Sequence, residues 1–299
     1  MDPLKLSSEL ISFKSVSPKS AGSLEFIRDI LNENKFVCNL LEFGDQKVKN
    51  LYACFKGGNG PNLCFAGHTD VVPPGNIKNW SSDPFIPNVK KGVLFGRGAS
   101  DMKTAIASFI CASLKFIKKE NKKFNGSLSF LLTADEEGDA DYGTKEVVEW
   151  MVKNKKKIDF CIVGEPTNPS FLGEMIKVGR RGSLNGEIIV NGTQGHVAYP
   201  EKCKNPIDGV LEICKELNKP LDKGSELFQP SNLVITSIDV GNNVTNLIAS
   251  NATIRFNVRF NDKFKSSEII EILDDRLKKT CCNYNMKIKV SGESFFNYS

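Results

Sequence analysis

The chain has 299 residues, of which 40% are hydrophobic and 25% are charged, and it carries a formal net charge of +5. This length allows two domains with sizeable cores, and the composition is ordinary for a globular protein. No stretch reaches the roughly 18 apolar residues of a membrane-spanning helix, and the N-terminus lacks a secretion-signal pattern. The lysines lie in scattered patches without interleaved aromatic residues, which argues against nucleic-acid binding.

The cysteines indicate a reducing environment. There are nine of them, an odd number, and no two have the C-x-x-C spacing of many metal and redox sites. Several lie inside apolar runs, where a free cysteine behaves as a small core residue. We therefore expect a cytoplasmic protein that is neither secreted nor bound to a membrane.

Apolar runs alternate with helical patterns in the first part of the chain. Asp2 followed by Pro3 is typical of a helix start, and a second amphipathic helix is expected around Leu24–Leu31. Further on, strands are predicted at 62–66, 127–133 and 159–163, and helices at 102–119 and 144–154. This order predicts an α/β domain with a mostly parallel sheet, whose functional residues gather at the carboxyl ends of the strands.

The pattern changes after Gly179. Strands are predicted at 183–190, 232–240, 254–260 and 286–290, with helices at 205–217 and 267–279. This β-α-β-β-α-β order predicts a smaller, inserted α+β domain of ferredoxin-like type. We expect residues 1–179 to form the catalytic, metal-binding domain, 180–291 the inserted domain, and 292–299 the start of a segment that returns to the first domain.

The chain contains two histidines, and each lies in a motif rich in polar groups: His68 in Gly67-His-Thr-Asp70, and His196 in Gly195-His-Val-Ala-Tyr-Pro200. Downstream of His68, acidic residues follow short apolar runs where strands would end: Asp101, Glu136, Glu137 and Glu165. One imidazole with several carboxylates is a ligand set for a divalent metal ion. The sequence therefore predicts a metal hydrolase.

Individual residues leave alternatives open. Asp101 precedes a long predicted helix, so it is either a helix cap or a carboxylate that bridges two cations. Because neighbouring residues of an extended chain point to opposite sides, one of Glu136 and Glu137 can bind metal while the other acts as general base. Asp70, two positions after His68, is placed to orient that imidazole.

Taken together, six motifs resemble those of the M20 metallopeptidase and deacylase family over nearly the whole chain. They are Gly67-His-Thr-Asp-Val-Val-Pro-Pro-Gly75, Gly96-Arg-Gly-Ala-Ser-Asp-Met-Lys103, Leu132-Thr-Ala-Asp-Glu-Glu-Gly138, Val163-Gly-Glu-Pro-Thr167, Gly179-Arg-Arg-Gly-Ser183 and Gln194-Gly-His-Val-Ala-Tyr-Pro200. The similarity is greatest to members that release succinate from N-succinyl-diaminopimelate, in the synthesis of lysine and cell-wall precursors. The resemblance thus implies a dinuclear zinc amidohydrolase, with Co²⁺ as an alternative ion, that forms a homodimer.

The resemblance also implies a role for each matching residue. His68 and Glu165 would bind one zinc ion, Glu137 the other, and Asp101 both, with Glu136 as general base. His196 would reach the substrate carbonyl in the partner subunit's site. Substrate contacts would come from five residues of the second domain: Arg180, Ser183, Tyr199, Asn246 and Arg259.

The ligand count is where this chain departs from the family. The second zinc ion would have only Asp101 and Glu137, one protein ligand fewer than is usual in a catalytic site. Family members supply a further histidine from a C-terminal segment, so we expect a truncated product or fragment. Two alternatives stay open: another M20 deacylase acting on acetylornithine or a peptide, and a catalytically inactive dimerisation or binding protein.

Overall fold

A computed structural model describes residues 1–121 and 123–297. The chain divides into two compact units, Met1–Thr167 and Asn168–Ser299. Within the described residues, none of the helices is long and apolar enough to cross a membrane. The α/β class with a second, smaller unit is confirmed.

The first unit is built on a five-stranded sheet of order β1-β2-β6-β3-β7. Its elements are α1 (Pro3–Ser12), α2 (Ser23–Glu33), β1 (Val37–Phe43), β2 (Val48–Lys56), β3 (Asn62–His68), β4 (Asn88–Lys90), β5 (Val93–Phe95), α3 (Thr104–Lys119), β6 (Ser127–Thr133), α4 (Thr144–Lys153) and β7 (Phe160–Val163). The sheet separates two apolar clusters. The larger contains residues of α1, α2 and α3, and the smaller contains Val147 and Met151 of α4.

The sheet is mixed rather than mostly parallel. β3 runs parallel to both β6 and β7, whereas β1–β2 and β2–β6 are antiparallel. A short turn joins β1 to β2, and such a turn forces antiparallel pairing. The three parallel strands position the candidate site. His68 at the end of β3 lies opposite Thr133 at the end of β6, and Ala66 of β3 lies opposite Val163 at the end of β7. The carboxyl ends of β3, β6 and β7 therefore meet at one edge.

The second unit contains a four-stranded antiparallel sheet of order β11-β13-β9-β14. Its elements are β8 (Gly179–Arg180), β9 (Gly182–Asn191), β10 (Gly195–His196), α5 (Pro206–Leu217), β11 (Asn232–Asp239), β12 (Leu247–Ile248), β13 (Asn251–Phe260), α6 (Ser266–Leu277), β14 (Tyr284–Gly292) and β15 (Phe295–Phe296). The strands of this sheet and the two helices follow one another as β9-α5-β11-β13-α6-β14, which is the predicted β-α-β-β-α-β order. One face of the sheet packs on α5 and α6 in a core of its own.

Two sets of phenylalanines make close contacts in this unit. The ring of Phe256, which is 2% exposed, lies directly over Gly186, where a Cβ atom would have no room. In addition, Phe295 and Phe296 of β15 pair with Arg180 and Gly179 of β8. Of the residues 292–299 that were predicted to start a return segment, the last two lie outside the described residues.

Candidate metal centre

The five predicted metal and base residues of the first unit converge around one imidazole. His68 ends β3 and is 1% exposed, so its position is set by the buried sheet. Its Nε2 atom lies 3.0 Å from Asp101 Oδ1, 3.4 Å from Glu165 Oε1 and 3.9 Å from Glu136 Oε2. Two groups of potential metal ligands share this histidine: His68 with Asp101 and Glu165, and His68 with Glu136 and Glu137.

The first group agrees with the ligand set that the resemblance implied for one ion. The second group differs in one respect, because it joins Glu137 to Glu136 and His68 rather than to Asp101. Glu136, expected to be the general base, is therefore also within reach of a ligand position. The assignment of base and ligand within this glutamate pair stays a prediction.

Asp101 lies in an irregular turn rather than at a helix start. The helix predicted from residue 102 begins at Thr104, and Ala99–Lys103 forms a kinked turn in which Asp101 and Met102 have non-helical backbone angles. The helix N-cap is Lys103, so the helix-cap alternative for Asp101 is wrong. The kink turns the Asp101 carboxylate towards His68, and the Met102 sulfur accepts the His68 backbone N–H at 3.4 Å.

Asp70 orients His68 through its main chain. The Nδ1 atom of His68 lies 2.9 Å from the Asp70 carbonyl oxygen and 3.6 Å from the Asp70 carboxylate. Because a carbonyl oxygen only accepts, Nδ1 carries a proton, which leaves Nε2 as the nitrogen that could bind a metal ion. This is the arrangement of a metal-binding histidine.

The Asp70 side chain has a different task. Its Oδ2 atom accepts the backbone N–H groups of Glu136, at 3.1 Å, and Glu137, at 3.0 Å, and also the Ser17 hydroxyl. The aspartate is fully buried, so these three donors compensate Oδ2 where water has little access, whereas Oδ1 has no hydrogen-bond partner among the described residues. Asp70 thereby fixes the turn after β6 that carries both glutamates.

The sequence analysis did not identify Ser17 or Lys103 as part of the site. Ser17 belongs to the segment between α1 and α2, and its backbone N–H donates to the Val71 carbonyl oxygen at 3.1 Å. Lys103 is fully buried and its Nζ donates to the Phe13 carbonyl oxygen at 2.9 Å. Burial lowers the pKa of Lys103 to about 8, against the opposing effect of the Asp70 charge. Neither residue has a local sequence pattern that indicates these long-range contacts.

The electrostatics of the cluster fit a bound cation. Burial raises the pKa values of Asp101, Glu136 and Glu137, and the neighbouring carboxylates raise them further, while His68 opposes this. For His68, burial lowers the pKa, but the hydrogen bond with Glu165 and the charges of Asp70 and Glu165 outweigh it and raise the pKa to about 10. These groups thus hold protons more tightly than the free side chains do, and a cation would compete with those protons.

The distances fit as well. Two ligand atoms that each lie about 2.0–2.2 Å from a tetrahedral zinc ion are separated by about 3.3–3.6 Å. The separations of 3.0 and 3.4 Å from His68 Nε2 to Asp101 and Glu165 are close to that range. With its raised pKa, the imidazole faces the carboxylate oxygens as a charged group, and a cation would take the place of its Nε2 proton. The residues present therefore suit a zinc-like ion.

The remaining predicted residues lie in the second unit. His196 is exposed in β10, opposite Leu247 of β12, and its ring centroid lies 6.2 Å from that of Tyr199. The Asn246 carbonyl oxygen accepts the Val197 backbone N–H at 3.1 Å. These contacts bring His196, Tyr199 and Asn246 into one neighbourhood.

Ser183, Arg259 and Arg180 lie elsewhere in that unit. Ser183 and Arg259 are opposite each other on β9 and β13; Ser183 is buried, and Arg259 is exposed. Arg180 lies in β8 and is exposed. The substrate contacts suggested for these residues stay predictions.

Comparison with known proteins identifies the family. A model of peptidase family M20/M25/M40 matches residues 64–297. The succinyl-diaminopimelate desuccinylase of Wolbachia pipientis wMel is 48% identical over 298 residues, which cover 99% of this chain and 74% of the relative. The enzyme of the same name from Pelagibacter ubique (strain HTCC1062) is 49% identical, covering 98% of this chain and 78% of the relative.

Solved structures share the fold at low sequence identity. The M20 family metallo-carboxypeptidase Sso-CP2 of Sulfolobus solfataricus has a TM-score of 0.80 at 17% identity, covering 96% of this chain and 78% of its own. The YXEP protein of Bacillus subtilis, described as a dinuclear metal-binding M20 peptidase, has a TM-score of 0.68 at 17% identity, covering 99% of this chain and 75% of its own. The chain belongs to peptidase family M20/M25/M40.

Proposed function

We propose that the chain is a metal-dependent amidohydrolase that cleaves N-succinyl-LL-2,6-diaminopimelate to succinate and LL-diaminopimelate. The observation that carries this proposal is the convergence of Asp101, Glu136 and Glu165 on His68 Nε2. The substrate is suggested by the desuccinylases that are 45–49% identical to the chain. Their names favour a succinylated substrate over acetylornithine or a peptide.

The cofactor would be one or two zinc ions, with Co²⁺ as an alternative. His68, Asp101 and Glu165, which form one group of potential ligands, would hold the first ion. As the resemblance implies, Asp101 and Glu137 would hold the second. Such ions polarise a carbonyl group and lower the pKa of bound water. The two groups of potential ligands share His68, so we expect the second ion to bind more weakly than the first.

Glu136 would move the proton. Its carboxylate would take a proton from the attacking water and give it to the departing amine nitrogen, as a general base and then a general acid. Asp70 would hold Glu136 in place through the backbone N–H described above. His196 would stabilise the negative charge on the substrate carbonyl oxygen, and five further residues would contact the substrate: Arg180, Ser183, Tyr199, Asn246 and Arg259.

The test is Glu136→Gln in zinc-loaded protein. Because proton transfer contributes about 10²- to 10⁴-fold to such reactions, we expect kcat for the succinylated substrate to fall by that factor. Glu149→Gln, at an exposed position of α4, is the matched control and should leave kcat unchanged. If the wild type hydrolyses the substrate and Glu136→Gln does so at the same rate, the proposed mechanism is wrong.

A second candidate is a binding protein without catalytic activity, favoured by the two groups of potential ligands that share the single imidazole of His68. It predicts stoichiometric zinc binding with no release of succinate. Assays with succinyl-diaminopimelate, acetylornithine and dipeptides, each at matched zinc content, separate this candidate and the other deacylases from the leading one.

We further propose a homodimer in the cytoplasm, with the functional domain boundary near Gly179. The nine free cysteines support a reducing location. If His196 acts in the partner's site, mixing the two inactive variants Glu136→Gln and His196→Ala should restore part of the activity. Mixtures as inactive as the separate variants would argue against the shared site.

A further inference from the structure

A cavity of about 400 Å³ lies beside the metal centre, within the first unit. It is lined by Val72, Trp80, Glu137 and the continuous run from Val93 to Asp101. Two of these, Asp101 and Glu137, are proposed metal ligands, so the cavity reaches the place where the reaction would occur. A volume of this size is within the usual range for small-molecule sites.

Arg97 is the cationic residue of this lining, and it is held on two sides. Its guanidinium carbon lies 5.1 Å from the centre of the Trp80 ring, and Nη2 donates to the Pro73 carbonyl oxygen at 3.3 Å. Its backbone N–H donates to the Pro84 carbonyl oxygen at 2.7 Å. The stacked position limits the motion of the side chain before any ligand arrives.

The guanidinium also has unused binding capacity. Among residues 1–121 and 123–297, no carboxylate lies within ion-pair distance of Arg97, and its buried Nε atom has no hydrogen-bond partner. A buried donor without an acceptor is costly, so a ligand that supplies one gains affinity. A carboxylate is the group that suits the planar fork of arginine.

The walls indicate which part of a substrate would bind. Val72, Val93 and Leu94 provide an apolar surface, and the acidic residues of the lining are those assigned to the metal ions. The amino-acid end of the substrate carries an ammonium group, which would need a free carboxylate. A short methylene chain that ends in one carboxylate needs only the apolar walls and Arg97.

We propose that this cavity is the subsite for the acyl group and that Arg97 binds its terminal carboxylate. The inference rests on the proposed function and extends it, since it assigns the selectivity for a succinyl over a neutral acyl group to one side chain. Arg97 would be a specificity residue that takes no part in proton transfer.

Kinetics with two substrates provide the first test. Loss of a hydrogen-bonded charge pair costs about 10- to 100-fold in affinity, so we expect Arg97→Gln to lower kcat/KM for N-succinyl-diaminopimelate by that factor. The value for N-acetyl-diaminopimelate should not change. Arg97→Lys should retain only part of the wild-type kcat/KM because lysine lacks the planar fork of arginine. Arg28→Gln, which removes an arginine beside Asp29 on α2, is the control and should leave kcat/KM unchanged.

Ligand binding gives a test that does not need turnover. The chain has two tryptophans, so Trp150→Phe leaves Trp80 under the Arg97 guanidinium as the sole indole reporter. In zinc-loaded protein, succinate should change the Trp80 fluorescence and bind at least tenfold more tightly than butyrate. Adding Arg97→Gln should remove this preference.

The outcomes separate the two proposals. Unchanged succinate binding in Arg97→Gln, equal losses for the succinyl and acetyl substrates, or no succinate binding by the wild type would each overturn the assignment of Arg97. Succinate binding that depends on Arg97 in a protein without turnover would support the subsite while contradicting the proposed function.

Discussion

At the scale of single residues, Asp70 connects the parts of the candidate centre. Its carbonyl oxygen fixes the His68 ring, and its Oδ2 atom fixes the backbone of Glu136 and Glu137. The third donor to Oδ2 is Ser17, which lies 53 positions earlier in the chain. The arrangement depends on this hydroxyl because a buried carboxylate is stable only when donors compensate it.

We expect Ser17→Ala to lower the free energy of unfolding by about 1.5–3 kcal/mol, the usual contribution of a hydrogen bond to a charged group. Urea unfolding measures this change. If the contact also positions Glu136, kcat should fall while KM stays the same. Ser12→Ala, which removes an exposed hydroxyl bonded to the Glu9 carbonyl oxygen, is the control, and equal effects of the two changes would contradict the prediction.

The residues that sequence reasoning found are those whose chemistry is visible locally. A histidine beside an aspartate and two adjacent glutamates after an apolar run are unusual without a cation, and the structure brings them together. Ser17 and Arg97 were not assigned roles, since a serine in a loop and an arginine between glycines have many ordinary uses. The side-chain partner of Ser17 is 53 positions away and those of Arg97 are at least 17 positions away, so these contacts depend on the fold.

At the scale of elements, the strongly periodic segments were predicted well and the irregular ones were not. The alternation of Ile254, Phe256 and Val258 with polar residues correctly indicated β13. The start of α3 was placed at Met102, because the composition of Ala99–Lys103 gives no sign of its kink. The antiparallel addition of β1 and β2 depends on long-range pairing, which periodicity does not report.

The Asp222 carboxylate holds the loop after α5 by accepting hydrogen bonds, so the stability of this loop should depend on pH. Burial raises the pKa of Asp222, but hydrogen bonds from Ser231, Gly224 and Asn261 outweigh it and lower that pKa below its usual value. A carboxyl with a lowered pKa stabilises the fold above its unfolded-state pKa, near 3.9, and loses this effect as the pH falls through the folded-state value.

We expect Asp222→Asn to lower the free energy of unfolding by about 1–2 kcal/mol at pH 6. The difference from the wild type should shrink as the pH is lowered from 4 to 2, because the wild-type carboxyl then becomes protonated. Unfolding by urea at a series of pH values measures it. Asp262→Asn, at an exposed neighbouring position, should show no such trend, and a difference that is constant with pH would refute the explanation.

At the scale of the whole molecule, two separate cores predict separate unfolding. The core of the first unit contains Phe130, and that of the second contains Phe256. Phe256→Ala should destabilise the second unit by about 3–5 kcal/mol while zinc affinity at His68 is retained. Phe130→Ala should instead destabilise the first unit and weaken zinc binding at His68, while the second unit stays folded. Calorimetry with zinc titration measures both, and a single transition shifted equally by both variants would contradict this expectation.

The shared anchor at Asp70 has a consequence for redesign of the centre. Since one oxygen atom holds the amides of two consecutive glutamates, the segment shifts as a single piece, and neither carboxylate can be relocated alone by altering the backbone. Retuning proton transfer without disturbing ion affinity therefore calls for a change of side-chain length, such as Glu136→Asp. Loop grafts or insertions near residues 135–138 would displace both roles together.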